Sequence, residues 1–227
     1  MDTININGKT LEELGVDGLA EYTVGGSSLD NQTFFGRNRT TFDVLASVPR
    51  LKTVAFTLVF KAATRAAAVM LKSRVDAEFV GKIDLRMPDD LYYTVYADGI
   101  GDLVLKGTSG GYIGTAAYKF KGICHGEEVT VTGNTVNCLS TIPRTDCKLE
   151  VTVPANATYF RLGTVQFNNV SAGDVLTADG LTGRILVNGA PASGEISFTQ
   201  FPFLVPGENS IYTTAGTATV TYYPTYI

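Results

Sequence analysis

Two pairs of carboxylates lie close enough in the sequence to be weighed as acid and base: Asp174 with Asp179, and Glu127 with Glu128. Glycoside hydrolysis needs little more than two carboxyl groups at a suitable separation. Each aspartate adjoins a glycine, in Gly173-Asp174 and Asp179-Gly180, where an aspartate commonly accepts hydrogen bonds from its own backbone and shapes a turn. The turn role is therefore the reading adopted, with a wall-degrading acid–base pair as the alternative. The sole histidine, His125, directly follows Cys124. Neighbouring strand side chains point to opposite faces, so the two are no nucleophile–base dyad, and His125 is expected at a turn or strand end. The sequence contains no Gly-x-Ser-x-Gly elbow, Walker loop or His-Glu-x-x-His helix, and its acidic residues do not follow the spacing of a calcium loop. No catalytic, cofactor-binding or metal-ligating residue is assigned, no cofactor is called for, and no enzymatic activity is expected.

Cysteines and tyrosines complete the inventory. Cys124, Cys138 and Cys147 are odd in number and lack Cys-x-x-Cys spacing, which argues against a disulfide framework or a zinc site. They are expected as buried or half-buried thiols, and a Cys138–Cys147 bridge is the one alternative. Tyr159, Tyr212, Tyr222, Tyr223 and Tyr226 offer aromatic faces on which a pyranose ring can stack. Strand alternation sends about half of such a set inward, so packing is the default and sugar binding its competitor.

Composition limits the partners. The chain has 227 residues, 44% hydrophobic and only 18% charged, with 24 glycines, 12 phenylalanines and no tryptophan. Such usage suits many short strands joined by tight turns. The net charge is −4 and the basic residues are scattered, so nothing marks a surface that grips nucleic-acid phosphates. The first residues have neither a basic region nor an apolar stretch, and no run approaches the roughly twenty apolar residues of a membrane span, so neither a secretory signal nor a membrane partner is expected.

The elements that must position these residues are mostly strands. Leu51 to Phe60 alternates Val54, Phe56, Leu58 and Phe60 against Lys52, Thr53, Thr57 and Lys61, the pattern of a half-buried strand. One helix is predicted from about Thr64 to Val80, capped by Thr64, with Gly81 at the left-handed C′ position. Its apolar stripe is read as Ala66, Val69, Met70, Ser73, Ala77 and Val80. Strands are also expected over Thr40–Val44, Lys82–Arg86, Tyr92–Ala97, Leu103–Leu105 and Thr115–Cys124, with turns at Gly25–Ser28, Pro88–Asp90 and Asp98–Gly99. Turn chemistry restarts near Gly126, which sets a boundary between a domain over 1–125 and a second over 126–227. The whole is mostly β, α+β in the loose sense.

The last fifty-odd residues carry the most specific pattern. Gly173-Asp174-Val175-Leu176 is followed by a strand ending on Asn188-Gly189, a pair that favours a type I′ hairpin. Phe201-Pro202-Phe203-Leu204-Val205-Pro206-Gly207-Glu208-Asn209-Ser210-Ile211 supplies a Pro-Gly turn, and Val220 to Ile227 is a β-aromatic strand broken by Pro224. In this order the pieces resemble the C-terminal domain of the distal tail protein family of long-tailed bacteriophages. The strand Leu51–Phe60, the alanine-rich helix and Asp90–Gly99 leading to Cys124 are similar to that family's amino-terminal domain, so the resemblance spans nearly the whole chain.

The resemblance implies a fold and a role. It implies an N-terminal β-sandwich or barrel-like ring-forming domain with one helix, followed by a galectin-like or carbohydrate-binding-module-like β-sandwich. It implies a structural virion protein that assembles in the host cytoplasm and forms a hexameric ring at the distal end of the tail tube. Its partners would be further copies of itself, the tail tube protein, the tail-tip or tail-associated protein and, as a further class, receptor-binding proteins, with DNA passing through the lumen unbound. Neighbour contacts are expected around Leu51–Phe60 and the loop Gly25–Arg37. A carbohydrate-binding module used in host-surface attachment is the alternative function.

Overall fold

Antiparallel pairing dominates the computed structural model, which describes residues 4–27, 29–34, 41, 43–192 and 196–227. The chain divides into two units, Met1–His125 with Ile227, and Gly126–Tyr226.

The first unit contains β1 (Asn5–Ile6), β2 (Lys9–Thr10), β3 (Gly18–Val24), β4 (Leu29–Phe34), β5 (Asp43–Pro49), β6 (Lys52–Ala62), α1 (Arg65–Ala77), β7 (Ile83–Arg86), β8 (Tyr92–Ile100), β9 (Val104–Thr108) and β10 (Gly111–His125). One sheet runs β2-β1-β7-β8-β10-β6-β3, with β9 beside β10, and β4 and β5 form a separate hairpin. The alternation read in Leu51–Phe60 is real: Val54, Phe56, Leu58 and Phe60 are all buried. Phe56 stacks on Phe120 of β10 with ring centroids 5.0 Å apart, and Phe79 lies 4.9 Å from Tyr118. The Tyr118 hydroxyl donates to Asp76 of α1 at 3.0 Å, and burial, reinforced by that carboxylate, raises its pKa well above the usual phenol range.

The helix differs from its expected phase. Thr64 caps it as predicted, its hydroxyl oxygen accepting from the Ala67 N–H at 3.1 Å. The buried face, however, is Ala68, Leu71 and Val75, continued by Phe79, while Met70 is 66% and Val80 80% exposed. The aliphatic side chains surround the helix, so spacing alone did not choose between two stripes. Helical structure ends at Ala77 with Glu78 as its cap, and Gly81, with φ +85°, serves the turn beyond rather than the C′ position. Asp98 and Gly99 also differ from expectation. They lie inside β8 rather than in a connection, because a bulge between Lys119 and Phe120 lets the strand continue to Ile100.

The second unit holds β11 (Val129–Thr132), β12 (Thr135–Cys138), β13 (Thr145–Thr152), β14 (Ala157–Leu162), β15 (Val165–Val170), β16 (Val175–Asp179), β17 (Arg184–Val187), β18 (Ala190–Pro191), β19 (Ile196–Phe198), β20 (Phe203–Leu204), β21 (Gly207–Ser210), β22 (Thr219–Tyr222) and β23 (Thr225–Tyr226). One sheet is ordered β11-β22-β13-β16-β17-β18, with β20 on β13, a second is β14-β15-β19, and β12 pairs β21. Leu149, Val151, Leu176, Ala178, Val220 and Tyr222 from the first meet Phe160, Leu162, Val165 and Phe167 from the second in one apolar core, the arrangement of a β-sandwich. The two turns read from the sequence form as their residues dictate. Val187 pairs with Ala190 across Asn188 (φ 52°) and Gly189 (φ 77°), a type I′ geometry. At Pro206-Gly207, Gly207 has φ 88°, and the Asn209 side chain donates to the carbonyls of Val205 and Gly207 at 2.7 and 2.8 Å while accepting from the Val205 N–H at 2.9 Å. The Pro-Gly-x-Asn pattern is thus one hydrogen-bonded device.

Candidate functional site

The reactive residue types are dispersed and occupied. Asp174 accepts from the Ser171 N–H at 2.7 Å and from the Asn188 side chain at 2.9 Å, and these bonds, the backbone one foremost, hold its carboxyl below the usual range. Asp179 accepts from the N–H groups of Leu181 and Thr182 at 2.8 and 3.1 Å and from the Thr182 hydroxyl at 2.6 Å. Both aspartates shape turns, as read from the sequence. They stand at opposite ends of β16, about 16 Å apart at the rise of a strand, beyond the roughly 5–9.5 Å that separates glycosidase carboxyls. A cleft of about 320 Å³ beside β15 and β18 has Asp174 as its one acidic lining residue among those described. Glu128 accepts from the Tyr223 hydroxyl at 2.8 Å.

His125 ends β10, its ring stacked on Tyr92 with centroids 5.7 Å apart, and its Nε2 lies 3.3 Å from the Thr94 hydroxyl. Cys124 is buried on the opposite side of the strand. All three cysteines are free thiols and all are buried, with no Cys138–Cys147 bridge. Burial pushes the Cys147 thiol up to about 12 and raises Cys124, so neither is a ready nucleophile at neutral pH. Among the described residues no cluster of His, Cys, Asp and Glu could hold a metal ion, and no helix is long and apolar enough to cross a membrane.

What the structure offers instead is surface. Every residue of β4 is exposed, and the hairpin β4–β5 displays Leu29, Phe34, Val44, Leu45 and Val48, Leu45 at 67% exposure. A bulge between Gln32 and Thr33 leaves Leu45 unpaired. Of the loop expected over Gly25–Arg37, residues 25–27 have no regular structure and Leu29–Phe34 form a strand, while Ser28 and residues 35–37 lie outside the described residues, as do Thr40 and Phe42 of the strand expected over Thr40–Val44. The apolar side chains of β6 are spent on the unit's own core. The sequence reading missed the apolar set on β5. Its signal was present in the apolar run Val44-Leu45-Ala46-Ser47-Val48.

The five carboxy-terminal tyrosines separate. Tyr222 is fully buried, its hydroxyl accepting from the Leu139 N–H at 3.3 Å and donating to the Asn137 carbonyl at 3.1 Å. Tyr223 and Tyr226 are half-buried, while Tyr159 and Tyr212 are 54% and 59% exposed.

Residues 140–226, nearly all of the second unit, match the family described as siphovirus-type tail component, C-terminal domain. The fold of the entire chain is similar to that of the SPP1 Dit (gp 19.1) protein, a paradigm of the hub adsorption apparatus in Gram-positive-infecting phages, with a TM-score of 0.72, 10% identity and 100% of each chain covered. It is also similar to a chain of the phage p2 baseplate in its activated conformation, at TM-score 0.50 and 8% identity over 98% of each chain. No curated protein matches the sequence. The pieces that the sequence offered as a resemblance, Asn188-Gly189 and Phe201 to Ile211, form turns and strands within the matched segment.

Proposed function

We propose that the protein is a structural hub of a siphovirus-type phage tail, located in the virion at the distal end of the tail tube, with no catalytic role. The observation that carries this reading is the likeness of the whole chain, end to end, to a phage hub protein, joined to the tail domain over 140–226. In it the first unit closes a hexameric ring that joins the tube protein to the tail-tip proteins, and the second unit forms a platform for the adsorption apparatus, including receptor-binding proteins. DNA passes through the lumen without being held, in keeping with a net charge of −4 and scattered basic residues.

The hairpin β4–β5 supports the ring. An isolated two-stranded hairpin is marginal in water, and one that shows Leu29, Phe34, Val44, Leu45 and Val48 to solvent gains most from a second copy of the chain. A hairpin on one copy seated on a different surface of the next makes a heterologous contact, the kind that closes rings. The comparisons favour this hub over a free-standing carbohydrate-binding module.

Light scattering on the purified chain, with negative-stain images of the same peak, tests the proposal. A six-fold ring with a central hole is expected, and the double variant Leu45→Asp with Val48→Asp is expected to leave a folded monomer near 24.2 kDa. A native chain that stays monomeric at every concentration, or a variant that still closes the ring, would reject the hairpin as the ring contact.

A further inference from the structure

The outer face of the three-stranded sheet β14-β15-β19 carries a set of side chains that the hub role does not use. By strand alternation Phe160, Leu162, Val165 and Phe167 fill the core, which places Tyr159, Arg161, Gln166 and Asn168 together on the opposite face. The register sets Tyr159 opposite Asn168, and Arg161 opposite Gln166, which in turn faces Ser197 of β19. Cross-strand neighbours of this kind have Cβ atoms about 5 Å apart.

The edge of the sheet adds a second aromatic ring. The Leu162–Thr213 bridge, the Gly163 N–H donated to the Tyr212 carbonyl at 2.7 Å and the Thr214 N–H donated to the Arg161 carbonyl at 3.0 Å hold the segment after β21 alongside β14. The Arg161 guanidinium then lies over the Tyr212 ring, 5.5 Å from its centroid, and is fixed as a planar array of donors. Gln166 Nε2 donates to Asn168 Oδ1 at 3.0 Å, which orients both amides within the same plane of side chains. The patch therefore combines two exposed aromatic rings, one oriented guanidinium and two oriented amides.

We propose that this face binds a saccharide. A pyranose presents an apolar C–H face, which suits stacking on Tyr159, and a rim of hydroxyls that both donate and accept, which suits Gln166, Asn168 and Arg161. An apolar helix or strand of a protein partner would leave those polar groups facing aliphatic carbon, so its fit is poorer. This binding would add to the hub role rather than replace it, and it rests on the second unit alone.

The test uses the full chain on an array of bacterial surface oligosaccharides, with the strongest ligand then titrated by calorimetry against the native protein and against Tyr159→Ala and Gln166→Ala. Retention of at least one oligosaccharide is expected, weakened about tenfold or more in each variant. Light scattering on the same variants should show an unchanged assembly mass, which separates this proposal from the ring. No retained oligosaccharide, or affinity unaltered in both variants, overturns it. A changed assembly mass overturns it too, since the face would then be a contact between copies.

Discussion

Asp174 shows how a residue with catalytic potential is committed to architecture. Its carboxylate is held by the Ser171 N–H and by Asn188, the asparagine that also supplies the first positive φ of the β17–β18 turn, so one acid ties two turns together. These bonds favour the ionised form and depress the carboxyl below its ordinary 3.8. A depressed carboxyl takes up its proton more readily when unfolded. Its stabilisation is therefore complete above about pH 4 and is lost as pH falls through the folded-state value. Asp174→Asn should lower the melting temperature near neutrality, and the gap from the native protein should close as pH falls below about 4. Thermal melts followed by circular dichroism across that range check it, and a gap constant with pH would show that the charge plays no part. The thiols argue the same way, since burial pushes Cys147 up to about 12 and leaves it as packing.

At the scale of elements, the helix is the sharpest case. Its buried side is Ala68, Leu71 and Val75, against the sheet that carries Phe56, Tyr118 and Phe120. Leu71→Ala should cost about 2–4 kcal/mol by removing buried carbon and leaving a cavity, whereas Met70→Ala, on the exposed side, should stay within about 0.5 kcal/mol. Denaturant unfolding of the two variants checks the assignment, and equal losses would restore the stripe read from the sequence. The reason that stripe was misread is physical. Ala66, Val69, Met70, Ala77 and Val80 are as apolar as the residues that pack, so the helix has two candidate faces and only the sheet selects one. Elements whose signal is local were legible: the period-two alternation of β6, the Thr64 cap, and the Asn188-Gly189 and Pro206-Gly207 turns. Those that depend on distant partners were not. The bulge that carries β8 through Asp98-Gly99 is set by its pairing with β10, and the face shared by Tyr159, Arg161, Gln166 and Asn168 exists only once β14 and β15 are in register.

At the scale of the whole molecule, the proposed ring depends on which force joins its copies, and the hairpin identifies that force. Five of its side chains, Leu29, Phe34, Val44, Leu45 and Val48, are apolar and exposed, and the one ion pair among its described residues, Arg50 with Asp30, joins side chains that are themselves largely in solvent. An exposed pair of that kind contributes about 0–1 kcal/mol, so apolar burial must dominate a contact made here. The salt response follows. Raising salt from about 0.15 M to about 1 M shortens the Debye length from about 8 Å to about 3 Å, which removes most attraction between exposed charges and leaves apolar association intact. The assembly mass measured by light scattering should therefore persist at high salt and rise in sulfate, which strengthens apolar burial. Dissociation towards 24.2 kDa as salt rises would instead place ion pairs at the contact and move it away from β4–β5. With each copy carrying a net charge of −4, repulsion between copies is also screened, so a ring held by apolar contacts gains rather than loses from salt.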